Sequence, residues 1–154
     1  MSITKLAIKL ASPLPQLESF SRYLFIGPHP DDIEIGAGAT AAKLAENGKT
    51  VAFLCCIDGR YGSAAVPPEE LIPIRQAEAK ASAAALGVSD VRFLPFCDGG
   101  FYDARELTSA IAKVVGDFKP DVIFCPDPQV KSECHPDHLN VGKAASEVAY
   151  FAPY

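Results

Sequence analysis

Apolar runs of strand length recur along the chain, and each is followed by a longer stretch whose composition is typical of a helix. The four predicted strands are YLFI, TVAFLCCI, VRFLPF and DVIFC, at 23–26, 50–57, 91–96 and 121–125. The four predicted helices cover 39–48, 69–87, 103–118 and 135–151. This alternation predicts an α/β fold with a parallel sheet flanked by helices, because parallel neighbours need a crossover connection.

Residues at the helix ends support this interpretation. Gly48 and Gly87 are predicted to close the first two helices, and Pro73 is expected to interrupt the second one early. Asp103 is a plausible N-cap for the third helix. Pro136 suits the first turn of the fourth.

The chain of 154 residues is long enough for one domain with a real core. Residues 1–21 contain Pro13 and Pro15, which break any regular element, so we predict a leader segment there. Residues 22–154 form the predicted domain. Because the chain ends with the fourth helix, where a doubly wound fold continues with further strands, we expect a domain that is short or incomplete at its C-terminus.

Two stretches rich in ionisable residues follow the predicted first and fourth strands. They are GPHPDDIEIG at 27–36 and ECHPDHLNVG at 133–142, and both contain His-Pro-Asp. In a Rossmann-like sheet of order 3-2-1-4, strands one and four are neighbours, and the crevice between them is the topological switch point where ligands bind. The two motifs are therefore predicted to face each other across one cleft.

The residue types in these motifs suit a metal site. His29 and Asp32 are three residues apart on a predicted tight turn, and His135 and His138 are three apart at a helix start. Imidazole and carboxylate ligands suit Zn²⁺ or a similar divalent ion, and three protein ligands leave a position open for water. Zinc-bound water ionises near pH 7, and a spare carboxylate and a spare histidine can serve as base and as proton donor or oxyanion stabiliser.

Each motif alone also has a simpler explanation. J-domain cochaperones carry a lone His-Pro-Asp in a loop between helices, but here each copy follows a strand. Paired aspartates before a helix can simply cap it and complement its dipole. Both motifs together at adjacent strand ends favour a metal site.

Composition narrows the functional classes. The net charge is −5, and no Lys/Arg block resembles a nucleic-acid footprint. No apolar run approaches the ~20 residues needed to span a bilayer, and the N-terminus is too weakly hydrophobic for a signal peptide. The cysteines are odd in number and form no CxxC motif, which predicts reduced, buried thiols in a cytoplasmic protein. They are Cys55, Cys56, Cys97, Cys125 and Cys134.

The paired motifs GPHPDDIEIGAG and HPDH resemble the LmbE/PIG-L family of metal-dependent N-acetylglucosamine deacetylases. The segments DGRYGS, RQAEAKASAAALGV and FLPFCDG between them also fit, and the resemblance covers roughly residues 22–150. It implies a Rossmann-like fold, a single Zn²⁺ (sometimes Fe²⁺) and hydrolysis of an acetamide on a 2-amino-2-deoxy sugar. The implied partner is a small N-acetylated sugar conjugate.

The resemblance also implies a role for individual residues. The metal ligands would be His29, Asp32 and His138, with Asp31 as the general base. His135 would stabilise the oxyanion or protonate the leaving amine. Asp137 would orient His135, and Arg75 is a candidate for substrate contact.

Two alternatives remain open from the sequence. A metal-dependent phosphoesterase also uses His/Asp clusters, although such sites often hold two metals about 3.5–4 Å apart. A non-catalytic metal-binding subunit of an oligomer is the other. The apolar C-terminal stretch VAYFAPY would suit a homo-oligomer contact.

Overall fold

The computed structural model of the protein describes residues 3–4, 11 and 16–152. Its strands are β1 (Arg22–Gly27), β2 (Thr50–Ile57), β3 (Asp90–Phe96) and β4 (Val122–Phe124). Its longer helices are α1 (Asp32–Glu46), α2 (Pro68–Ala85), α3 (Ala104–Phe118) and α4 (Pro136–Phe151), and a short 3₁₀ turn, Leu17–Ser19, precedes β1.

The four strands form one parallel sheet in the order β3-β2-β1-β4, as predicted. The chain moves outward from β1 to β3 and then crosses back to the other side of β1. A right-handed crossover in each direction puts the connecting helices on opposite faces. The switch point therefore lies between the carboxyl ends of β1 and β4, where Phe25 is in register with Phe124.

Alternate residues of the central strands pack against different helices. Leu24 and Ile26 belong to the core under α3 and α4, which includes Ile111 and Val141. Tyr23, Phe25 and Phe53 belong to a second core, under α1 and the C-terminal end of α2. Burial on both faces explains why β1 and β2 are almost continuously apolar.

The first helix begins at Asp32, seven residues earlier than the predicted start at 39. The glycines at 36 and 38 weaken the helical pattern, but tertiary packing overrides this weakness. Ile33 is buried against the sheet in the first turn, and the carboxylates of Asp32 and Glu34 lie where the helix dipole favours negative charge.

The second helix covers almost the predicted range, since it begins at Pro68 and ends at Ala85. It runs without a break through Pro73, which lies one turn inside its start, so the expected interruption is wrong. Proline there removes one backbone hydrogen bond but does not end the helix.

The predicted N-cap of α3 is confirmed, since the Asp103 side chain accepts hydrogen bonds from the amides of Arg105 and Glu106 at 2.8 and 3.0 Å. Pro136 is the first residue of α4, as expected.

Gly142 lets α4 pack closely over the chain that leaves β4. A Cβ at this position would lie 2.4 Å from the Pro126 carbonyl oxygen, a distance that real side chains do not tolerate. This close approach brings the start of α4, with the second motif, over the end of the sheet.

The predicted leader, residues 1–21, lies mostly outside the described residues. Its last part is tied to the domain by Lys49, whose Nζ donates to the carbonyl oxygens of Glu18 and Phe20 at 2.7 and 2.8 Å. Among the described residues, no helix has the length and apolar character to cross a membrane.

All five cysteines are free, as predicted, but they are not all buried. Cys55 and Cys56 are buried in β2, and burial raises the pKa of the Cys55 thiol to about 12. Cys125 and Cys134 are exposed because they lie in the loops around the second motif, not in the sheet. The expectation of buried thiols is therefore wrong for these two.

Candidate metal and catalytic site

The two motifs meet at the carboxyl ends of β1 and β4. His29 follows β1, Asp32 opens α1, and His138 lies in the first turn of α4. Each of the three offers one ligand atom, and these atoms all lie within 4.8 Å of one another. The fold therefore brings together the three residues that the family resemblance implied as metal ligands.

The His29 ring has carboxylates on both sides. Its Nδ1 lies 3.2 Å from Oδ2 of Asp32. Its Nε2 lies 3.1 Å from Oδ2 of Asp137 and 3.3 Å from Oδ1 of Asp98. Because two carboxylates face Nε2, the proton of a neutral ring belongs on that nitrogen, which leaves the Nδ1 lone pair directed towards Asp32.

His138 has the same arrangement. Its Nε2 lies 3.5 Å from Oδ2 of Asp32, and its Nδ1 lies 2.9 Å from Oε2 of Glu133. Each imidazole therefore turns one nitrogen towards a supporting carboxylate and the other towards Asp32. Histidines that bind metals have this second hydrogen bond to a carboxylate, carbonyl or water almost without exception.

The two distances from Asp32 to the histidines fit a zinc-like ion. Tetrahedral bonds of ~2.0–2.1 Å place two ligand atoms about 3.3 Å apart. The atoms that face Asp32 are 3.2 and 3.5 Å from its oxygen. Two imidazoles and a carboxylate are also the donor set of many open catalytic zinc sites.

Charge pairing shifts the pKa values of the same groups. Burial lowers the pKa of His29, but hydrogen bonds to Asp32 and Asp137 outweigh it and raise that pKa from 6.5 to about 9. Burial opposes ionisation of Asp32, and its contacts with His29 and His138 still lower its pKa. In the absence of a metal, the protein thus holds a positive charge on His29 between carboxylates.

Asp137 is fully buried, and its carboxylate is held by three donors. It accepts hydrogen bonds from the Gly99 amide and the Tyr102 hydroxyl, both at 2.8 Å, and lies against His29. Burial raises its pKa, but these contacts lower it by more. The carboxylate is 3.8 Å from Nδ1 of His135, which is too long for a hydrogen bond. Its contacts support His29, in contrast to the expected support of His135.

His135 is instead oriented by the backbone. It is the N-cap of α4, and its Nδ1 accepts a hydrogen bond of 3.3 Å from the Asp137 amide. An accepting Nδ1 puts the proton of the neutral ring on Nε2. The side chain is 43% exposed, and its ring centre lies 4.9 Å from that of His29. The second motif therefore places a half-exposed N–H donor beside the candidate ligands.

Asp31 and Arg75 lie at the edge of the site and contact each other. Nη2 of Arg75 is 2.7 Å from Oδ2 of Asp31 and also donates to the Pro30 carbonyl oxygen. Asp31 is outside the group of candidate ligands but lines the same cavity, of about 350 Å³, as His29 and His135. This volume lies within the range of small-molecule sites.

Sequence reasoning missed Asp98 and Glu133 as supports of the two histidines. Asp98 follows β3 and precedes Gly99 and Gly100, which both have positive φ angles, 90° and 80°. An acidic residue before two glycines at a strand end is a signal that could have marked it. Glu133 is the first residue of the second motif as defined above and could have been found there.

Comparisons with known proteins identify the family of the chain. The profile of the family described as "PIG-L: GlcNAc-PI de-N-acetylase" matches residues 24–149. The chain is 36% identical to the diacetylchitobiose deacetylase of Thermococcus kodakarensis in an alignment of 152 residues that covers 97% of this chain and 56% of that protein. It is 34% identical to the 1D-myo-inositol 2-acetamido-2-deoxy-alpha-D-glucopyranoside deacetylase of Kineococcus radiotolerans, over 88% of this chain and 46% of that protein.

A solved structure supports the same relationship. N,N'-diacetylchitobiose deacetylase from Pyrococcus horikoshii, in complex with its inhibitor MPG, superposes with a TM-score of 0.81 at 33% identity, covering 98% of this chain and 60% of that one. The chain thus spans about half the length of the curated relatives it matches.

Proposed function

Since the chain belongs to the PIG-L family, we propose that it carries the catalytic site of a metal-dependent N-deacetylase. The proposed reaction removes the acetyl group from an N-acetylglucosaminyl conjugate or a similar small N-acyl substrate. The relatives named above are deacetylases of such sugars. The observation that carries the proposal is the shared geometry of His29 and His138, each backed by a carboxylate and each turned towards Asp32.

A divalent ion, with Zn²⁺ the best fit and Fe²⁺ an alternative, would be held by His29, Asp32 and His138. When bound, such an ion polarises the amide carbonyl and lowers the pKa of water. Asp98, Asp137 and Glu133 would keep the two histidine rings in the orientation that binding requires.

The chain's own acid–base groups would move the protons. The Asp31 carboxylate lines the cavity beside His29 and is 51% exposed, so it can accept a proton from the attacking water. In its neutral form His135 carries its proton on Nε2 and can donate a hydrogen bond to the developing oxyanion. In its protonated form the ring can donate a proton to the leaving amine. The 350 Å³ cavity, which Tyr61 and Arg75 also line, would take the sugar.

The proposal is tested by measuring metal content and amine release on the purified protein. We expect about one ion per chain, in line with a three-ligand catalytic site. We also expect amine release from diacetylchitobiose or an N-acetylglucosaminyl-inositol, and loss of it on chelation. Two ions per chain together with phosphate-ester hydrolysis would favour a phosphoesterase. Full metal content with no amine release from either substrate would favour a non-catalytic subunit.

We also propose a cytoplasmic location, which is supported by five free cysteines. Disulfides form and persist mainly in oxidising compartments. Recovery of the protein from a secreted or periplasmic fraction would contradict this location.

The homo-oligomer contact at the C-terminal stretch stays a prediction. Its residues Tyr150 and Phe151 are exposed, and residues 153–154 lie outside the described part of the chain.

A further inference from the structure

We propose that an apolar crevice at the carboxyl ends of β1 and β4 is the subsite for the acyl group of the substrate, and that it accepts acyl chains longer than acetyl. This inference rests on the proposed function, in which the amide is bound at the candidate metal site. It extends the acyl range beyond the acetyl group that the named relatives remove.

The apolar crevice lies directly beside two of the candidate ligands. Its volume is about 370 Å³, and Asp32 and His138 are among its lining residues. Its apolar lining comes from β1, the first turn of α1, the end of β4 and the loop that follows: Phe25, Ile26, Ile33, Ile35, Phe124 and Pro126. Apart from the two ligands and the Cys125 thiol, the lining residues, which all belong to the described part of the chain, have apolar side chains or are glycine.

The candidate ligands lie between this crevice and the polar cavity that would take the sugar. His29 lines the polar cavity, whereas Asp32 and His138 line the crevice, and the two spaces have no lining residue in common. An ion held by all three residues would therefore adjoin both spaces. The carbonyl carbon of an amide carries its nitrogen and its acyl chain in two different directions, so a sugar amide bound at this point has one part for each space.

The chemistry of the two linings decides which part of the substrate goes where. Sugar hydroxyl groups need hydrogen-bond partners when they leave water, and the polar cavity offers Asp31, Arg75 and Tyr61. A hydrocarbon chain needs no such partner and is stabilised by removal of its surface from water. The sugar therefore belongs in the polar cavity and the acyl chain in the crevice.

The crevice is larger than an acetyl group requires. A methyl group is about the size of a water molecule, whose share of liquid volume is about 30 Å³. Phe25 and Phe124 are paired on β1 and β4, and their rings stack with centres 4.5 Å apart on the sheet side of the crevice. Ile35, which is 82% exposed and lies three residues after Asp32 on α1, continues the apolar lining to the surface. This lining can contact several carbons of a longer chain.

A series of N-acyl glucosaminides with acetyl, butanoyl and hexanoyl groups tests the subsite by kinetics. With the metal-loaded chain, kcat/KM should rise by about twofold to fourfold for each added methylene, the range expected when part or all of that group leaves water. The sugar is the same in each compound, so the contacts in the polar cavity stay constant. A kcat/KM that falls as the chain grows would contradict the proposal.

Two helical glycines provide a matched pair of variants. Gly36 lines the crevice, Gly116 on α3 lines neither space, and a Cβ at either position would have open space around it. Gly36→Leu should lower the preference for hexanoyl over acetyl by about tenfold or more, because the new side chain takes the place of the acyl carbons. Gly116→Leu should keep the wild-type preference. Ile35→Ser should lower it by about threefold, and it serves as the test variant if Gly36→Leu fails to fold by circular dichroism.

Binding of two hydroxamates gives a readout that needs no turnover, because a hydroxamate binds a metal ion through its own oxygens and carries its acyl chain beside them. In isothermal titration calorimetry, hexanohydroxamate should bind the metal-loaded chain at least about tenfold more tightly than acetohydroxamate. Gly36→Leu should remove most of this difference, and Gly116→Leu should retain it.

The two experiments distinguish failure of the subsite from failure of the proposed function. If no compound of the series releases amine, the proposed function fails, while the hydroxamate pair still tests the subsite. A wild type that binds hexanohydroxamate no more tightly than acetohydroxamate, or a preference that is unchanged in both Gly36→Leu and Ile35→Ser, would overturn the inference.

Discussion

The two His-Pro-Asp motifs have the same three residues and opposite arrangements. In the first motif the helix begins at the fourth residue, Asp32, so His29 and Asp31 lie in the loop. In the second the helix begins at the second residue, Pro136, and His135 is the N-cap. The burial is reversed as a result. The side chain of His29 is 14% exposed and that of His135 43%, whereas Asp31 is 51% exposed and Asp137 is fully buried.

This difference shows that the start of the helix assigns the roles within the motif. His29 of the first motif, which is 14% exposed, faces the fully buried Asp137 of the second at 3.1 Å. The exposed aspartate of the first and the half-exposed histidine of the second line the same cavity. Each motif thus contributes one residue to the support of the site and one to its open side.

The fourth residue of each motif, Asp32 or His138, is a proposed metal ligand, and changing it should have the largest effect. Asp32→Ala or His138→Ala removes one of the three proposed ligands, so we expect metal content to fall far below one ion per chain and amine release to fall to background. Elemental analysis after gel filtration measures the metal. Full occupancy in the His138→Ala protein would contradict the ligand assignment.

Substitutions of the third residue of each motif, Asp31 and Asp137, should show most clearly how the two motifs differ. Asp31→Asn should keep the metal and the folded stability but lower kcat by about 10²–10⁴-fold, because an amide cannot accept the proton of water. Asp137→Asn should instead destabilise the protein by about 1–3 kcal/mol, because it leaves a buried donor without an acceptor. Thermal unfolding and steady-state kinetics on both variants measure the contrast. Equal loss of stability in the two variants would contradict it.

Much of this arrangement could be predicted from sequence because it depends on local patterns. Strand–helix alternation predicts a parallel sheet, and the order 3-2-1-4 of a Rossmann-like sheet places His29 and His138 at adjacent strand ends. The helix containing Asp32 was predicted to begin at 39, so nothing in the pattern showed that Asp31 would be exposed and Asp137 buried. Those orientations depend on the Gly99 amide and on Arg75, which reach the motifs from other elements.

Substitution of His135, the first residue of the His-Pro-Asp sequence in the second motif, should have the next smaller effect on activity. His135→Ala should leave metal content unchanged, since Asp32 and both other histidines stay in place, and lower kcat by ~10²–10³-fold through loss of a hydrogen-bond or proton donor. Metal analysis and a pH–rate profile measure the two parts. If His135 is the proton donor, the alkaline limb of the profile should disappear. A His135→Ala protein that loses its metal would make His135 a fourth ligand.

The smallest effect expected concerns His29 in the protein freed of metal by a chelator. Hydrogen bonds to Asp32 and Asp137 outweigh burial and raise its pKa from 6.5 to about 9. Protonated His29 therefore stabilises the folded state, with a contribution that is complete below pH 6.5 and is lost as the pH rises through 9.

The urea midpoint of the metal-free protein should accordingly fall between pH 6.5 and 9. Asp32 and Asp137 have lowered pKa values, so their contributions to stability change only at acidic pH and stay constant between pH 6.5 and 9. A His29→Gln variant should show a shallower dependence on pH over the same range. A wild-type urea midpoint that stays level or rises up to pH 9 would show that His29 is neutral in the metal-free protein. The two motifs would then differ in the position of their histidines and not in charge.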